Sequence, residues 1–420
     1  MNVLMITPDY PPSVGGIGSH VKELTSNLIE QGCKVTVLVI RLDRSTLNPD
    51  ELKVISSENL TVVTFPSEFK VNFPDIEDFD YNKYRSEIHP FKFAAMSLEI
   101  FPMVFNYLKT CKKFDILHVH DAYNAYISVI VKRLFNIPMV TTLHALSTTV
   151  FNIVDSNRRY ILNNSNSIIA VSSWMKEQLE PRFGKISTSV QVIHNGVSSN
   201  FSNKMLPKEK GNFQKRKIIT FCGRLIPIKG CHILISAFAK VLDMIDSGTD
   251  LKLKIIGDGN AKEELEYLVK RLNLEPFVEF TGYKSPSEVR EILNTSSVHV
   301  VPSLTDNFPM VALEAMAEGT PLIVSAVGGL VEIVKDGQNG ILVSPNNIEE
   351  LARAIILLLN NKQTAMKYSK KGLEVVKDIN WASTATKTLE VYNQTLIEYE
   401  NRIHHENHQR QMLTNDKKSF

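Results

Sequence analysis

Short apolar runs alternate along this chain with stretches whose apolar residues recur every three or four positions. In the first half the runs are Val3–Ile6, Val35–Ile40, Leu60–Phe65, Ile116–Val119, Met139–Leu143, Ser167–Val171 and Val190–Ile193. Helical spacing lies between most of them, for instance over Gly18–Glu30, Tyr123–Phe135 and Trp174–Leu179. Runs this short read as buried strands, and strand–helix alternation predicts a parallel sheet covered on both faces. Residues 201–216 break the rhythm with Lys, Asn, Pro and Gly and no apolar period. The alternation then restarts at Ile218–Phe221, Leu251–Ile256, Phe277–Phe280, Val298–Val301, Leu322–Val324 and Ile341–Val343. The expectation is α/β: a doubly wound domain over 1–200, a linker over 201–216 and a second doubly wound domain over 217–378. Amphipathic helices are expected at Ile348–Leu359 and Thr364–Val376, and a last helix at Trp381–Arg402. Residues 403–420 read as a polar, frayed tail carrying His404, His405 and His408.

Composition narrows the function class. A chain of 420 residues has two domains as its default. The net charge of +2 gives no electrostatic case for nucleic acid. The four cysteines lie in no C-x-x-C pair, so neither a zinc knuckle nor a disulfide framework is indicated, and a reducing compartment fits. Val3–Ile6 is cut off by Pro8 with no cationic segment before it, too short for a signal sequence. No run approaches the roughly 18 apolar residues of a membrane span. The expected location is cytoplasmic. The apolar region Phe91–Lys113, ending in Lys109, Lys112 and Lys113, has two readings: a helix buried against its sheet, which is favoured, or peripheral contact with the inner membrane face.

Candidate chemistry sits at predicted strand ends, where open α/β sheets bind ligands. After Val298–Val301 come Asp306, Asn307, Phe308 and Pro309, which opens a helix (Met310 onward) that carries Glu314 and is closed by Gly319. A helix N-terminus is an anion site, and two nearby carboxylates suit sugar hydroxyls. Gly223, Arg224 and Lys229 follow the second domain's first strand. A guanidinium fork and an ammonium five residues on suit a diphosphate. Gly257-Asp258 ends the next strand, and Val278 and Thr281–Tyr283 are placed at the end of the one after. In the first domain, Tyr10 and the glycines Gly15, Gly16 and Gly18 follow the first strand and allow close backbone approach. Their spacing is that of neither a dinucleotide fold nor a P-loop. His118, His120 and His144 are expected at two adjacent strand ends, with Asn195 ending the domain's last strand. Asp78-Phe79-Asp80 matches a D-x-D metal motif but follows no apolar strand, so no metal ligand is assigned.

In their order and at these strand ends, the glycine loop Val14–Gly18, His144, Asn195-Gly196-Val197, Gly223-Arg224-Leu225 with Lys229-Gly230, Gly257-Asp258-Gly259, Asp306…Glu314-Ala-Met-Ala-x-Gly-Thr-Pro, Gly328-Gly329 and Asp336-Gly337…Gly340 form a specific combination. The chain resembles the glycosyltransferase family four enzymes, of the retaining GT-B type, from Met1 to about Arg402. The resemblance implies two Rossmann-like domains facing across a cleft, with the last helix (379–402) crossing back to the first. It implies a nucleotide-sugar donor, most readily a UDP-sugar, and an unknown hydroxyl acceptor. On that resemblance Arg224 and Lys229 grip the diphosphate, Glu314 the ribose hydroxyls, and His144 the donor sugar. The donor side further comprises Gly15, Gly16, Gly223, Gly257, Asp258, Val278, Tyr283, Asn307, Phe308, Pro309 and Met310; the acceptor side comprises Tyr10, His120 and Asn195. No cofactor and no metal are implied, and the oligomeric state is open. Two positions depart from the pattern: Asp306, where glutamate is usual, and Ser198, where aspartate is common. A glycosidase is disfavoured, because Asp306 and Glu314 stand roughly 12 Å apart along the helix at 1.5 Å per residue. The remaining alternatives are a sugar-phosphate synthase or nucleotide-sugar epimerase, whose phosphorylated acceptor would need Arg41, Arg44, Arg158 and Arg159, or an inactive nucleotide-sugar-binding scaffold.

Overall fold

The computed structural model describes residues 1–12, 15–40, 53–65, 90–146, 152–198, 201, 216–245 and 248–416. The D-x-D stretch, Val14, Arg41, Arg44 and nearly all of the expected linker lie outside the described residues. Two compact units are present. The first comprises Met1–Val171, Lys176–Ile193 and Thr384–Phe420, and the second Ser172–Met175 and His194–Ser383.

The first unit is built on β1 (Asn2–Thr7), β2 (Lys34–Ile40), β3 (Lys53–Ser56), β4 (Leu60–Phe65), β5 (Ile116–His120), β6 (Met139–Leu143), β7 (Ser167–Ala170) and β8 (Val190–Val192). Their order across the sheet is β3-β4-β2-β1-β5-β6-β7-β8. All neighbours are parallel except β3, which pairs antiparallel with β4. Strand β3 was not anticipated. It is an exposed edge strand, with Val54 and Ile55 on the surface, so it lacks the apolar run that marks a buried strand. The covering helices are α1 (Gly16–Glu30), α2 (Pro90–Thr110), α3 (Ala125–Phe135), α4 (Asn152–Asn164) and α5 (Ser173–Phe183), the last with its first residues in the second unit. Helix α2 sets Ile100, Val104 and Leu108, four residues apart, into the core with Leu4, Ile6 and Phe65. This is the buried reading of the apolar region. Among the described residues no helix is long and apolar enough to cross a membrane.

The second unit repeats the pattern with β9 (Arg216–Cys222), β10 (Asp250–Ile256), β11 (Val278–Gly282), β12 (Val298–Val301), β13 (Leu322–Ser325) and β14 (Ile341–Val343). Their order is β11-β10-β9-β12-β13-β14, parallel throughout. Helices α6 (Cys231–Met244), α7 (Lys262–Arg271), α8 (Pro286–Thr295), α9 (Met310–Ala317), α10 (Leu330–Ile333), α11 (Ile348–Asn360) and α12 (Lys362–Val376) accompany them. The final helix α13 (Trp381–Asp416) runs past the expected end at Arg402. Glu, Gln, Arg, Met and Leu continue there without Gly or Pro, so nothing in the sequence stops it. From Thr384 onward α13 belongs to the first unit. There the Tyr392 hydroxyl lies 2.5 Å from His118 Nδ1, and Thr395 Oγ1 lies 2.7 Å from Ser167 Oγ.

Strand order reverses direction between β1 and β5 in one sheet and between β9 and β12 in the other. Such switch points open a crevice at the strands' carboxyl ends, where open α/β sheets bind ligands.

Candidate active site

The carboxyl ends of β9 and β12 bring together most of the residues singled out in the second half of the chain. Gly223 and Arg224 leave β9, Arg224 with its side chain exposed. Lys229 follows in a short helical turn, Pro227–Lys229. From β12 comes Asp306, whose Oδ2 lies 2.7 Å from Lys229 Nζ and accepts from Ser303 Oγ at 3.0 Å. Asp306 is therefore committed to Lys229 inside the protein, where a carboxylate reaching toward sugar hydroxyls had been expected. Pro309 is the N-cap of α9 and supplies no side-chain cap, so the first N–H groups of Met310 and Val311 remain available to an anion. Glu314 sits one turn inside α9, half-buried. Its charge, after burial, raises the Cys222 thiol at the end of β9.

The loop between β12 and α9 is fixed from two sides. Gly329 N donates to the Asp306 carbonyl at 3.0 Å. A Cβ on Gly328, whose φ is +52°, would lie 1.8 Å from that oxygen, so only glycine lets the two backbones meet. On the other side Asn195 Nδ2 donates to the Phe308 carbonyl at 3.2 Å, and the His194 ring stacks on Phe308 at 4.6 Å and 3°. Asn195 was expected on the acceptor side; its amide instead braces this loop, within the second unit. His194 and Glu332 were not anticipated. Glu332 accepts from Ser173 N at 2.9 Å, Trp174 N at 2.8 Å and His194 Nε2 at 3.0 Å. Burial pushes its carboxyl up, but the two backbone N–H groups and His194 outweigh that and leave it below its ordinary value.

Three other expected site residues are placed differently. Val278 is the first residue of β11, roughly 13 Å from the strand's far end at 3.3 Å per residue, and so lies at the wrong edge for the switch point. Tyr283, just beyond β11, is exposed. Asp258 is exposed, and its Oδ1 accepts from Gly259 N. Gly257 serves the turn itself: a Cβ there would meet the Gly223 carbonyl at 2.0 Å.

In the first unit, α1 starts at Gly16, two residues earlier than expected, so Gly16, Ile17 and Gly18 form its first turn. The Asp9 carboxylate packs on this turn, and a Cβ on Gly15 would lie 2.2 Å from Asp9 Oδ2. Tyr10, beside it, is half-buried, which raises its phenol. His118 is not at a strand end. It lies within β5, fully buried, between Tyr392 and Thr142 Oγ1 at 2.7 Å. Burial raises the Tyr392 phenol, and its hydroxyl and Thr142 Oγ1 occupy the two ring nitrogens of His118. His120 ends β5 but has no exposed surface, which removes it from direct acceptor contact. His144, just past β6, is partly exposed, with its Nε2 3.1 Å from His120 Nδ1. Burial first, and then neighbouring imidazoles, hold His118 and His144 down at about 3 and His120 well below its ordinary value. All three rings are neutral at neutral pH.

Two α/β units, each with a loaded switch point, and a terminal helix belonging to the first unit define a GT-B enzyme. The sequence matches the Glycosyltransferase Family 4 model over residues 14–201 and the Glycosyl transferases group 1 model over residues 203–375. It is 31% identical to an uncharacterized glycosyltransferase of Methanocaldococcus jannaschii, over 94% of this chain and 98% of that one. Among solved structures, sucrose-phosphate synthase from Thermosynechococcus elongatus superposes with a TM-score of 0.78 at 22% identity, covering 94% of this chain and 99% of the other. Anabaena HepE in complex with UDP and glucose gives 0.69 at 18% identity, covering 94% and 100%. The chain belongs to glycosyltransferase family four and is a glycosyltransferase.

Proposed function

We propose that this enzyme transfers a sugar from a UDP-sugar to a hydroxyl acceptor with retention of the anomeric configuration. The observation that carries the reading is the clustering, at one switch point, of Arg224, Lys229 and the uncapped N-terminus of α9. Breaking the bond between the anomeric carbon and phosphate oxygen leaves negative charge on the diphosphate, and these groups are positive. Preorganised donors of this kind cost about 2.7–4 kcal/mol each when removed, so two account for several decades of rate. The acceptor hydroxyl then bonds to the anomeric carbon, and its proton passes to the departing phosphate oxygen. Glu314 holds ribose hydroxyls, and His144, neutral, exchanges hydrogen bonds with the donor sugar. The HepE complex with UDP supports UDP as the nucleotide.

A phosphorylated acceptor is the less favoured reading. Arg158, one of the arginines it would need, is buried and already faces Asp155 at 3.2 Å and Asp121 at 3.9 Å.

A thermal-shift panel of UDP-, GDP- and ADP-sugars tests the donor, since a ligand bound only to the native state raises its melting point. UDP-sugars are expected to shift it, and a panel with no shift would overturn the donor assignment. Lys229→Ala is expected to lower turnover by about 100-fold or more while the melting point stays near wild type. Wild-type turnover in that variant would remove Lys229 from the mechanism.

A further inference from the structure

Three imidazoles converge in the first unit from three separate elements: His20 of α1, His120 at the end of β5 and His144 just after β6. Their ring centroids form a triangle with sides of 4.4 Å (His20–His144), 5.4 Å (His20–His120) and 5.4 Å (His120–His144). One ring nitrogen of each lies within 4.8 Å of the others, and His120 Nδ1 and His144 Nε2 are 3.1 Å apart. A zinc–imidazole bond of about 2.0–2.1 Å puts each ring centroid about 3 Å from the ion, and tetrahedral angles then space three rings about 5 Å apart. The observed triangle has that size.

We propose that His20, His120 and His144 form a binding site for a divalent transition ion, Zn²⁺ or Co²⁺, separate from the charge stabilisation assigned to the second unit. A three-histidine set without a carboxylate selects borderline ions over Mg²⁺ or Ca²⁺. The buried Nε2 of His120 has no hydrogen-bond partner. If both facing nitrogens of the His120–His144 pair bind the ion, the His120 proton resides on that Nε2, so the tautomer needed costs no existing hydrogen bond there. The ion would occupy a nitrogen of His144 and withdraw it from any sugar hydroxyl, making the site inhibitory.

The competing site is on α13, where His404 and His408 are exposed and one helical turn apart. The test uses the full chain without a polyhistidine tag, titrated with Zn²⁺ by calorimetry and with Co²⁺ by visible absorption. One ion with the strong visible bands of four-coordinate Co²⁺ is expected. His144→Ala should weaken binding by about tenfold or more, while His404→Ala with His408→Ala leaves this site unchanged. His144→Cys should keep the ion and add a thiolate-to-cobalt charge-transfer band; this variant decides the matter if His144→Ala fails to fold. Unchanged affinity in His144→Ala, loss of binding in the tail variant, a six-coordinate Co²⁺ spectrum or no charge-transfer band in His144→Cys would each overturn the proposal. None of these readouts depends on the identity of the sugar donor.

Discussion

At the scale of single residues, Asp306 is the most instructive position. It is one methylene shorter than the glutamate the family resemblance places there, and its carboxylate ends on Lys229 and Ser303. Lys229 is about one-quarter exposed and Asp306 almost buried, so this is a partly screened pair. A role as counter-ion and a role as sugar ligand make different predictions for Asp306→Asn. As a counter-ion, its loss leaves Lys229 with more positive field for phosphate, so UDP should bind a few-fold tighter, in line with the roughly 0.2–1 kcal/mol of such pairs. Turnover should fall, because Lys229 loses the partner that orients it. As a sugar ligand, its loss would leave UDP affinity unchanged and weaken only the UDP-sugar. Calorimetry with UDP and with UDP-glucose, side by side, separates the two; equal UDP affinity in the variant would rule out the counter-ion role.

Elements explain what could and could not be read from the chain. Buried parallel strands advertise themselves as apolar runs, which is why, among the described residues, thirteen of the fourteen strands lie where the periodicity placed them, with ends shifted by a residue or two. Strand β3 has no buried face and was invisible. The switch-point residues Arg224, Lys229, Asp306 and Pro309 were legible because strand ends carry ligands in this architecture. The brace on their loop was not: His194 and Glu332 are 138 residues apart in sequence and meet only through the tertiary fold. His20 was missed for a similar reason, being a buried polar position on an otherwise ordinary amphipathic helix. The glycine pair before α10 shows how one element governs another. Gly328→Ala puts a methyl on the Asp306 carbonyl and forces a left-handed φ on alanine. A cost of about 1–3 kcal/mol is expected from the backbone alone, and more from the clash. Thermal unfolding should show a clear drop in melting point, and turnover should fall further than stability does, since the displaced loop carries Asp306 and the α9 N-terminus. An unchanged melting point would rule out the tight contact between Gly328 and the Asp306 carbonyl.

Across the whole molecule, buried histidines make the two units unequal toward acid. His118, His120 and His144 lie in the first unit with folded pKa values depressed by burial. In the second, burial lowers His299, 3.0 Å from Thr220 Oγ1, and half-buried His232, which Glu264 opposes. In the unfolded chain each titrates near 6.5, so below that pH the unfolded state binds protons that the native state refuses. Stability is therefore fully present above about pH 6.5 and is lost as pH falls toward the folded values near 3, by up to about 1.4 kcal/mol per pH unit for each histidine. The first unit carries three such groups against two, and Glu264 offsets part of the burial effect on His232, so the first unit should fail first. The two tryptophans, Trp174 and Trp381, both lie in the second unit, each in the first turn of a helix whose remainder belongs to the first, so their fluorescence reports mainly the second unit. In urea at pH 7 the far-ultraviolet circular dichroism and tryptophan transitions should lie close together. At pH 5 the dichroism midpoint should drop below the fluorescence midpoint, because the first unit's regular structure unfolds while Trp381 remains buried in the second. Two curves that move together, or fluorescence falling first, would show that the histidine cluster does not set the acid limit of this enzyme.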